Sequence, residues 1–261
     1  MLKHYPGAKN GSGVAEKIIS LMPPHTTYIE GFLGSGVILR KKLPAKANMA
    51  FEKNAHVCAF WKQYYAPHLP PADIACGDFI KWLSCRPPVL DALETLIYLD
   101  PPYLGSVRTR RFYEHELSTE EEHAELLRLL LPLPCMVMLS GYYSPLYAAW
   151  LDAKVWRRVD IPTMTRGGPR TECVWCNFPH PDVLHDARFA GGGYRERYRI
   201  KRKTQRWAAR FAAMPAAERQ IIATALASVD RATSTAALRV DADPDTVAGV
   251  AGSRTPFPAA T

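Results

Sequence analysis

The chain has 261 residues, 48% hydrophobic and 22% charged, a globular composition that excludes a wholly disordered protein. No run of about 18 apolar residues occurs and the opening Met1-Leu2-Lys3-His4-Tyr5-Pro6 has no apolar stretch, so neither a membrane-spanning helix nor a signal peptide is expected, and the protein is read as intracellular, in the cytoplasm. The net charge of +8 points weakly to a polyanionic partner.

Apolar runs and amphipathic stretches alternate over the first 180 or so residues, the pattern of an α/β domain. A first short strand ends at Tyr28-Ile29, and a helix runs over Val37 to Lys42. Further strands are expected at Ala47 to Phe51, Ile74 to Cys76, Thr95 to Leu99 and Cys135 to Leu139. Ser118-Thr119-Glu120-Glu121 reads as a capping box ahead of a helix with Leu126, Leu127 and Leu130 on one face. Ser144-Pro145 opens another helix. Val155 to Ile161 and Thr171 to Phe178 form an antiparallel hairpin about Gly167-Gly168-Pro169. After Gly191-Gly192-Gly193, a basic helix with interleaved aromatics covers Arg195 to Arg210, and Pro215 introduces a second helix. The expected division is 1–185 as the main domain, 186–230 as a basic helical extension and 231–261 as a disordered tail.

The six cysteines read as reduced thiols. Cys173 and Cys176, followed by His180 and His185, have loosely zinc-like spacing, but residues three apart on a strand point to opposite faces, so no metal is expected.

Three strand ends carry the chemistry. After the first strand comes Glu30-Gly31-Phe32-Leu33-Gly34-Ser35-Gly36, whose glycines let backbone pass close to a ligand at a helix N-terminus. Glu52, roughly twenty residues later, can accept hydrogen bonds from the ribose hydroxyls of an adenosine; an unrelated glutamate beside a tight turn is the alternative. After the third strand, Asp78 of Gly77-Asp78-Phe79 can bond an adenine amino group and Phe79 can pack on its ring; an N-cap aspartate before a core phenylalanine is the commoner meaning. After the fourth stands Asp100-Pro101-Pro102-Tyr103. A carboxylate and a backbone carbonyl that accept the two hydrogens of an exocyclic amine draw its nitrogen towards tetrahedral geometry, ready to attack a sulfonium methyl in line. Asp100 supplies the carboxylate, Pro101 the carbonyl and Tyr103 a stacking face, while Pro101 and Pro102 stiffen the loop. A base inside a duplex must be flipped out to reach such a site.

These segments resemble, in the family's order, the Dam-like N(6)-adenine DNA methyltransferases, in particular the short phage and prophage type. Tyr5-Pro6-Gly7-Ala8-Lys9 is similar to the N-terminal motif that closes over the cofactor, and Phe51-Glu52-Lys53-Asn54 to the ribose motif. Leu139-Ser140-Gly141-Tyr142 and Arg170-Thr171-Glu172-Cys173-Val174-Trp175 resemble later motifs. The resemblance implies a Rossmann-like, mostly parallel seven-stranded sheet with one antiparallel strand near the end. It implies S-adenosylmethionine as cofactor, held by Tyr5, Lys9, Glu30, Gly31, Gly34, Gly36, Glu52, Asn54, Asp78, Phe79 and Asp100, and catalysis at Asp100 to Tyr103. Ala8 departs from the second glycine common in the family, and only about twenty residues separate Phe79 from Asp100, too few for the recognition domain of longer members. Duplex DNA is the expected partner, touched by Arg108, Arg110 and Arg111 after the catalytic loop and by Arg199, Lys201 and Lys203 on the basic helix, with a short or relaxed target sequence. Adenine in RNA, the cytosine amino group in DNA, and a non-catalytic nucleic-acid-binding role are the alternatives. A monomer is slightly favoured.

Overall fold

Strand β4, Thr95–Leu99, consists of five buried residues, as a parallel strand covered on both faces requires. In the computed structural model it is the middle of a seven-stranded sheet of order β3-β2-β1-β4-β5-β7-β6. The structure describes Lys9, residues 13–65 and 72–104, Leu117, and residues 119–165 and 168–240. β1 (Thr27–Glu30) pairs in parallel with β2 (Ala47–Glu52) on one side and with β4 on the other. β2 continues in parallel to β3 (Asp73–Cys76), and β4 to β5 (Met136–Gly141). β7 (Gly168–Cys176) runs antiparallel between β5 and β6 (Arg157–Thr165). This is the Rossmann-like sheet with one antiparallel strand that the resemblance implies. Chain order reverses direction between β1 and β4, and in open α/β sheets a crevice for ligands opens at that point, beyond the strands' carboxyl ends.

Alternate residues of the strands supply two cores, one per face. Ile29, Phe51, Ile97, Leu99, Val137, Leu139 and Trp175 pack on one side, covered by α4 (Phe79–Ser84), α5 (Glu120–Leu130) and α6 (Pro145–Trp150). Tyr28, Ala50, Leu96, Tyr98, Met138 and Val174 pack on the other, covered by α1 (Val14–Ile19) and α2 (Val37–Lys41). Cys173 falls in the first core and Cys176 in the second, so strand geometry separates the two thiols. Among the described residues no group of three or more His, Cys, Asp and Glu is arranged to hold a metal.

The capping box of α5 is Thr119 with Glu122, one residue later than the sequence suggested. Thr119 Oγ1 accepts the Glu122 N–H at 3.2 Å and Glu122 accepts the Thr119 N–H at 3.1 Å. Both registers fit the local pattern, and the burial of Leu126, Leu127 and Leu130 selects this one. Ser144 caps α6 with Pro145 in its first turn, as expected.

Two expectations about chain organisation are corrected. The boundary between the two compact units lies between residues 200 and 201, inside α7 (Tyr194–Ala212), and not after residue 185. The reason is local: Asp186 accepts the Leu43 N–H at 3.0 Å, and Arg188 donates to the Lys41 carbonyl at 2.9 Å, which ties this segment to the end of α2. In addition, α8 (Ala216–Val240) continues past residue 231, where a disordered tail was expected; alanines at 232, 236 and 237 favour the helix. Residues 241–261 lie outside the described part. Among the described residues no helix is long and apolar enough to cross a membrane.

A third correction concerns the thiols. Cys58 on α3 (Ala55–Phe60) and Cys76 at the end of β3 form a disulfide, with Cα atoms 5.8 Å apart. The β2–β3 register sets Cys76 opposite Glu52, and α3 starts just after Glu52 and folds back along the sheet edge, so a pairing invisible at 18 residues' separation becomes adjacent. Closing a loop of that length constrains the unfolded chain by about 3 kcal/mol. Reduction is therefore expected to lower the urea midpoint of the wild type and to leave that of Cys58→Ser unchanged; equal wild-type midpoints with and without a dithiol would show that the bond contributes nothing.

Candidate active site

The loop leaving β1 is built by glycines for packing as much as for ligand approach. Gly34 and Gly36 have φ of +48° and +55°, and Gly36 caps α2 from that left-handed conformation. A Cβ on Gly36 would collide with the Trp61 ring, whose Nε1 donates to the Gly34 carbonyl at 2.9 Å. Trp61, fully buried after α3, is thus the brace under the loop. A Cβ on Gly31 would run into Leu99 and Phe79.

Glu52 ends β2 with its carboxylate 7% exposed and aimed at that loop. Oε2 accepts the Gly34 N–H at 2.9 Å and Oε1 the Asn54 N–H at 2.8 Å. These two bonds hold the carboxylate in one orientation at the mouth of the glycine loop before any ligand arrives. Asn54 itself is the N-cap of α3, accepting from His56 and Val57. Asp78 caps α4 through the Ile80 N–H at 2.9 Å and pairs with Lys53 at 2.9 Å, which together hold its carboxyl below the ordinary range against the upward push of burial. Phe79 is 2% exposed and sits edge-on to Phe32 and Phe51, in the core.

Asp100 leaves β4 at the reversal of strand order. Its Oδ1 accepts from Lys9 Nζ at 2.8 Å and from Ser140 Oγ at 3.1 Å. Ser140, fully buried near the end of β5, also bonds the Leu99 carbonyl at 3.2 Å and the Tyr98 hydroxyl at 3.0 Å, so it fixes the acid to the strand that carries it. Lys9 Nζ meets the Tyr103 hydroxyl at 2.6 Å and Glu172 Oε1 at 3.1 Å. Burial alone pulls the Lys9 ammonium towards deprotonation; Asp100, Tyr103 and Glu172 outweigh it and hold its pKa well above the ordinary lysine value. Tyr103 stacks on Tyr142 with centroids 4.2 Å apart, and its hydroxyl donates to Glu172 Oε2 at 3.0 Å. Beside this pair, Pro101, Gly141, His123 and Tyr147 line a pocket with room for about one water.

The structure therefore gathers Lys9, Asp100, Pro101 and Tyr103 at one point, with Glu52 and the glycine loop on the adjoining strand ends. Lys9, expected from the N-terminal motif to hold the cofactor, stands with its Nζ on Asp100. Tyr5, Arg108, Arg110 and Arg111 lie outside the described residues. Sequence reading assigned no individual role to Glu172, Ser140, Lys53 or Trp61. The signal for the first two was one polar residue beside an otherwise buried apolar run, Glu172 before Cys173-Val174-Trp175 and Ser140 after Met138-Leu139.

Glu30 lies on the β1 face that carries Tyr28, 2% exposed, accepting the Tyr28 O–H at 2.8 Å. Burial pushes its pKa up to about 8 from an ordinary 4.5, only partly opposed by the Tyr28 bond. A raised carboxyl pKa makes the neutral acid the favoured native form, so its contribution to stability is complete below about pH 4.5 and is lost as pH rises through about 8. Urea unfolding across that window should show the wild type losing stability relative to Glu30→Gln; parallel pH profiles would contradict it.

No family model and no curated protein matches this chain. Its fold is similar to those of several solved structures. One is a precorrin 8W decarboxylase of Methanobacterium thermoautotrophicum, 13% identical over 67% of this chain and 94% of that one, with a TM-score of 0.43. Another is an rRNA methylase of Streptococcus thermophilus, 11% identical over 65% and 97%, with a TM-score of 0.42. A third is the magnesium protoporphyrin IX methyltransferase of Synechocystis, solved with S-adenosylmethionine bound, 11% identical over 63% and 78%, with a TM-score of 0.43.

Proposed function

We propose that this chain methylates the exocyclic amino group of adenine in DNA, with S-adenosylmethionine as methyl donor and a short or relaxed target sequence. The observation that carries the reading is Asp100: at the reversal of strand order, its carboxylate already holds a nitrogen, Lys9 Nζ, at 2.8 Å, with the Tyr103 ring beside it. That ammonium stands where a substrate amine would be received.

The donor fits the neighbouring strand ends. Glu52, oriented by the Gly34 and Asn54 N–H groups, would take the ribose hydroxyls, and the Gly31 to Gly36 loop would leave room for the amino-acid part. When bound, S-adenosylmethionine supplies a methyl group made electrophilic by its sulfonium. The chain's own residues do the rest. Asp100 and the Pro101 carbonyl accept the amino hydrogens, so the nitrogen lone pair no longer spreads into the ring. Tyr103 offers its ring to the base, although Tyr142 now covers one face and the neighbouring pocket is far smaller than adenine. Entry of a flipped base therefore requires these rings to part and Lys9 to yield Asp100. Such catalysis is positioning and electrostatics, without a strong base.

A surface for the DNA backbone is offered by α7. Arg195, Arg199, Arg202, Arg206 and Arg210 recur at intervals of three and four, so they share one face over about 22 Å. No residue of α7 is buried. Of the three residues expected there, Arg199 belongs to this stripe, Lys203 borders it and Lys201 lies on another face.

Two outcomes test the reading. Asp100→Ala should lower N(6)-methyladenine formation on unmethylated duplex DNA by at least about a thousandfold, in line with removal of a principal transition-state interaction, while calorimetry still finds cofactor binding. An active mutant removes Asp100 from catalysis, and an inactive wild type removes DNA as substrate. Replacing Arg199, Arg202 and Arg206 by alanine should weaken DNA binding and reduce the salt slope by about 0.9 for each phosphate that is no longer neutralised. An unchanged slope would assign α7 to something other than the backbone.

A further inference from the structure

Glu172 has no part in the chemistry described so far, yet it is held with more care than most acids in the molecule. It sits on β7 at the edge of a buried apolar run, 3% exposed. A carboxylate in such a place costs several kcal/mol unless it is paired and hydrogen-bonded. Burial raises its pKa above the ordinary value, with Lys9 opposing the rise only in part and Asp100 adding to it. Oε2 accepts the Tyr103 O–H at 3.0 Å, and Oε1 lies 3.1 Å from Lys9 Nζ.

The Lys9 ammonium has three hydrogens and three neighbours: Asp100 at 2.8 Å, Tyr103 at 2.6 Å and Glu172 at 3.1 Å. Two acids share one cation. A substrate amine needs the Asp100 oxygen that Lys9 occupies. Expelling the ammonium into water would leave the buried Glu172 and the part-buried Asp100 carboxylates near each other with no counter-charge, at a cost that grows as water leaves the site. Transfer of the ammonium onto the second acid avoids that: Glu172 Oε1 is already 3.1 Å from Nζ and is buried without a hydrogen bond of its own.

We propose that Glu172 is a positioning residue that takes over the Lys9 ammonium when a substrate amino group binds Asp100. The shift frees the catalytic acid while the cation stays buried and paired. Through the Tyr103 hydroxyl the same carboxylate holds the stacking ring in place. This inference rests on the reading of the site as one that receives an exocyclic amine.

The test is steady-state methyl transfer to unmethylated duplex DNA by the full chain, comparing wild type, Glu172→Gln, Lys9→Met and the double variant. Glutamine keeps an oxygen for Tyr103 but cannot hold the ammonium, so Lys9 remains on Asp100 as a competitor of the substrate. Glu172→Gln should raise KM for DNA by about tenfold or more, with cofactor affinity by calorimetry within about twofold of wild type. Adding Lys9→Met should bring KM back to that of Lys9→Met alone, because no ammonium is left to compete. A structural role would instead lower the urea midpoint of Glu172→Gln and leave its KM raised when Lys9→Met is added, since coupling alone is expected of two residues in contact. If Glu172→Gln does not fold, the double variant, in which only the part-exposed Asp100 carboxylate lacks its cation, is compared directly with Lys9→Met; equal KM supports the proposal and a further loss overturns it. An unchanged KM in Glu172→Gln, or a double variant no better than Glu172→Gln, overturns it while the methyltransferase reading stands. A wild type that methylates no DNA overturns the reading and this proposal together.

Discussion

β4 pairs in parallel with β1 on one side and with β5 on the other, and the chemistry of the molecule hangs from that arrangement. The neighbours of a buried central strand leave in opposite directions, so the helices that would cover its carboxyl end diverge and a crevice remains. Asp100 emerges into the crevice from β4, the glycine loop from β1, Glu52 from β2 and Ser140 from β5. Five buried residues in a row leave the strand no freedom of register, because a one-residue slip would move every side chain to the other face. The acid thus inherits its position from a core of Ile97, Leu99, Leu96 and Tyr98 rather than from the loop in which it is written.

Charge buried at the crevice is arranged in two groups, linked through the repulsion between Asp100 and Glu30. In one, Lys9 is shared by Asp100 and Glu172, with Tyr103 completing the cage. In the other, Glu30 lies with Tyr28 and near Lys42, whose ammonium sits 4.1 Å from the Tyr28 ring centroid and whose pKa burial lowers to about 8. The first group is charged and paired, which suits a site that exchanges one cation or amine for another. The second is driven towards neutrality by burial. Similar residue types are thus separated in purpose by whether a partner charge lies within hydrogen-bond reach.

Much of the frame could be read from the chain alone. Strands β2, β4 and β5 announce themselves as apolar runs ended by polar residues, and α6 by Ser144-Pro145. Asp100-Pro101-Pro102-Tyr103 is readable because its chemistry is carried by consecutive residues. Other residues were legible as types but not as roles. Phe79 packs against Phe32 and Phe51, and Asn54 caps α3, structural roles that the residue types alone did not assign. The capping box of α5 had two overlapping registers, and only the buried leucines separate them. The basic helix showed its charge in the sequence, but its arginine face follows from helical geometry between Arg195 and Arg210 and not from the densest cluster of lysines.

What the sequence determined by itself is whatever depends on neighbours within a turn or a strand: periodicity, caps, and the motif that delivers an acid, a carbonyl and an aromatic ring together. What only the tertiary structure decided is who meets whom across long separations. Lys9 and Asp100 are 91 positions apart, Tyr103 and Glu172 69, and Cys58 and Cys76 meet through the β2–β3 register. An ion pair or a disulfide leaves no periodic trace, because each partner is a single residue whose local preferences are satisfied equally well without the other. Their pairing is a property of strand order, and strand order is set by how the two cores close around β4.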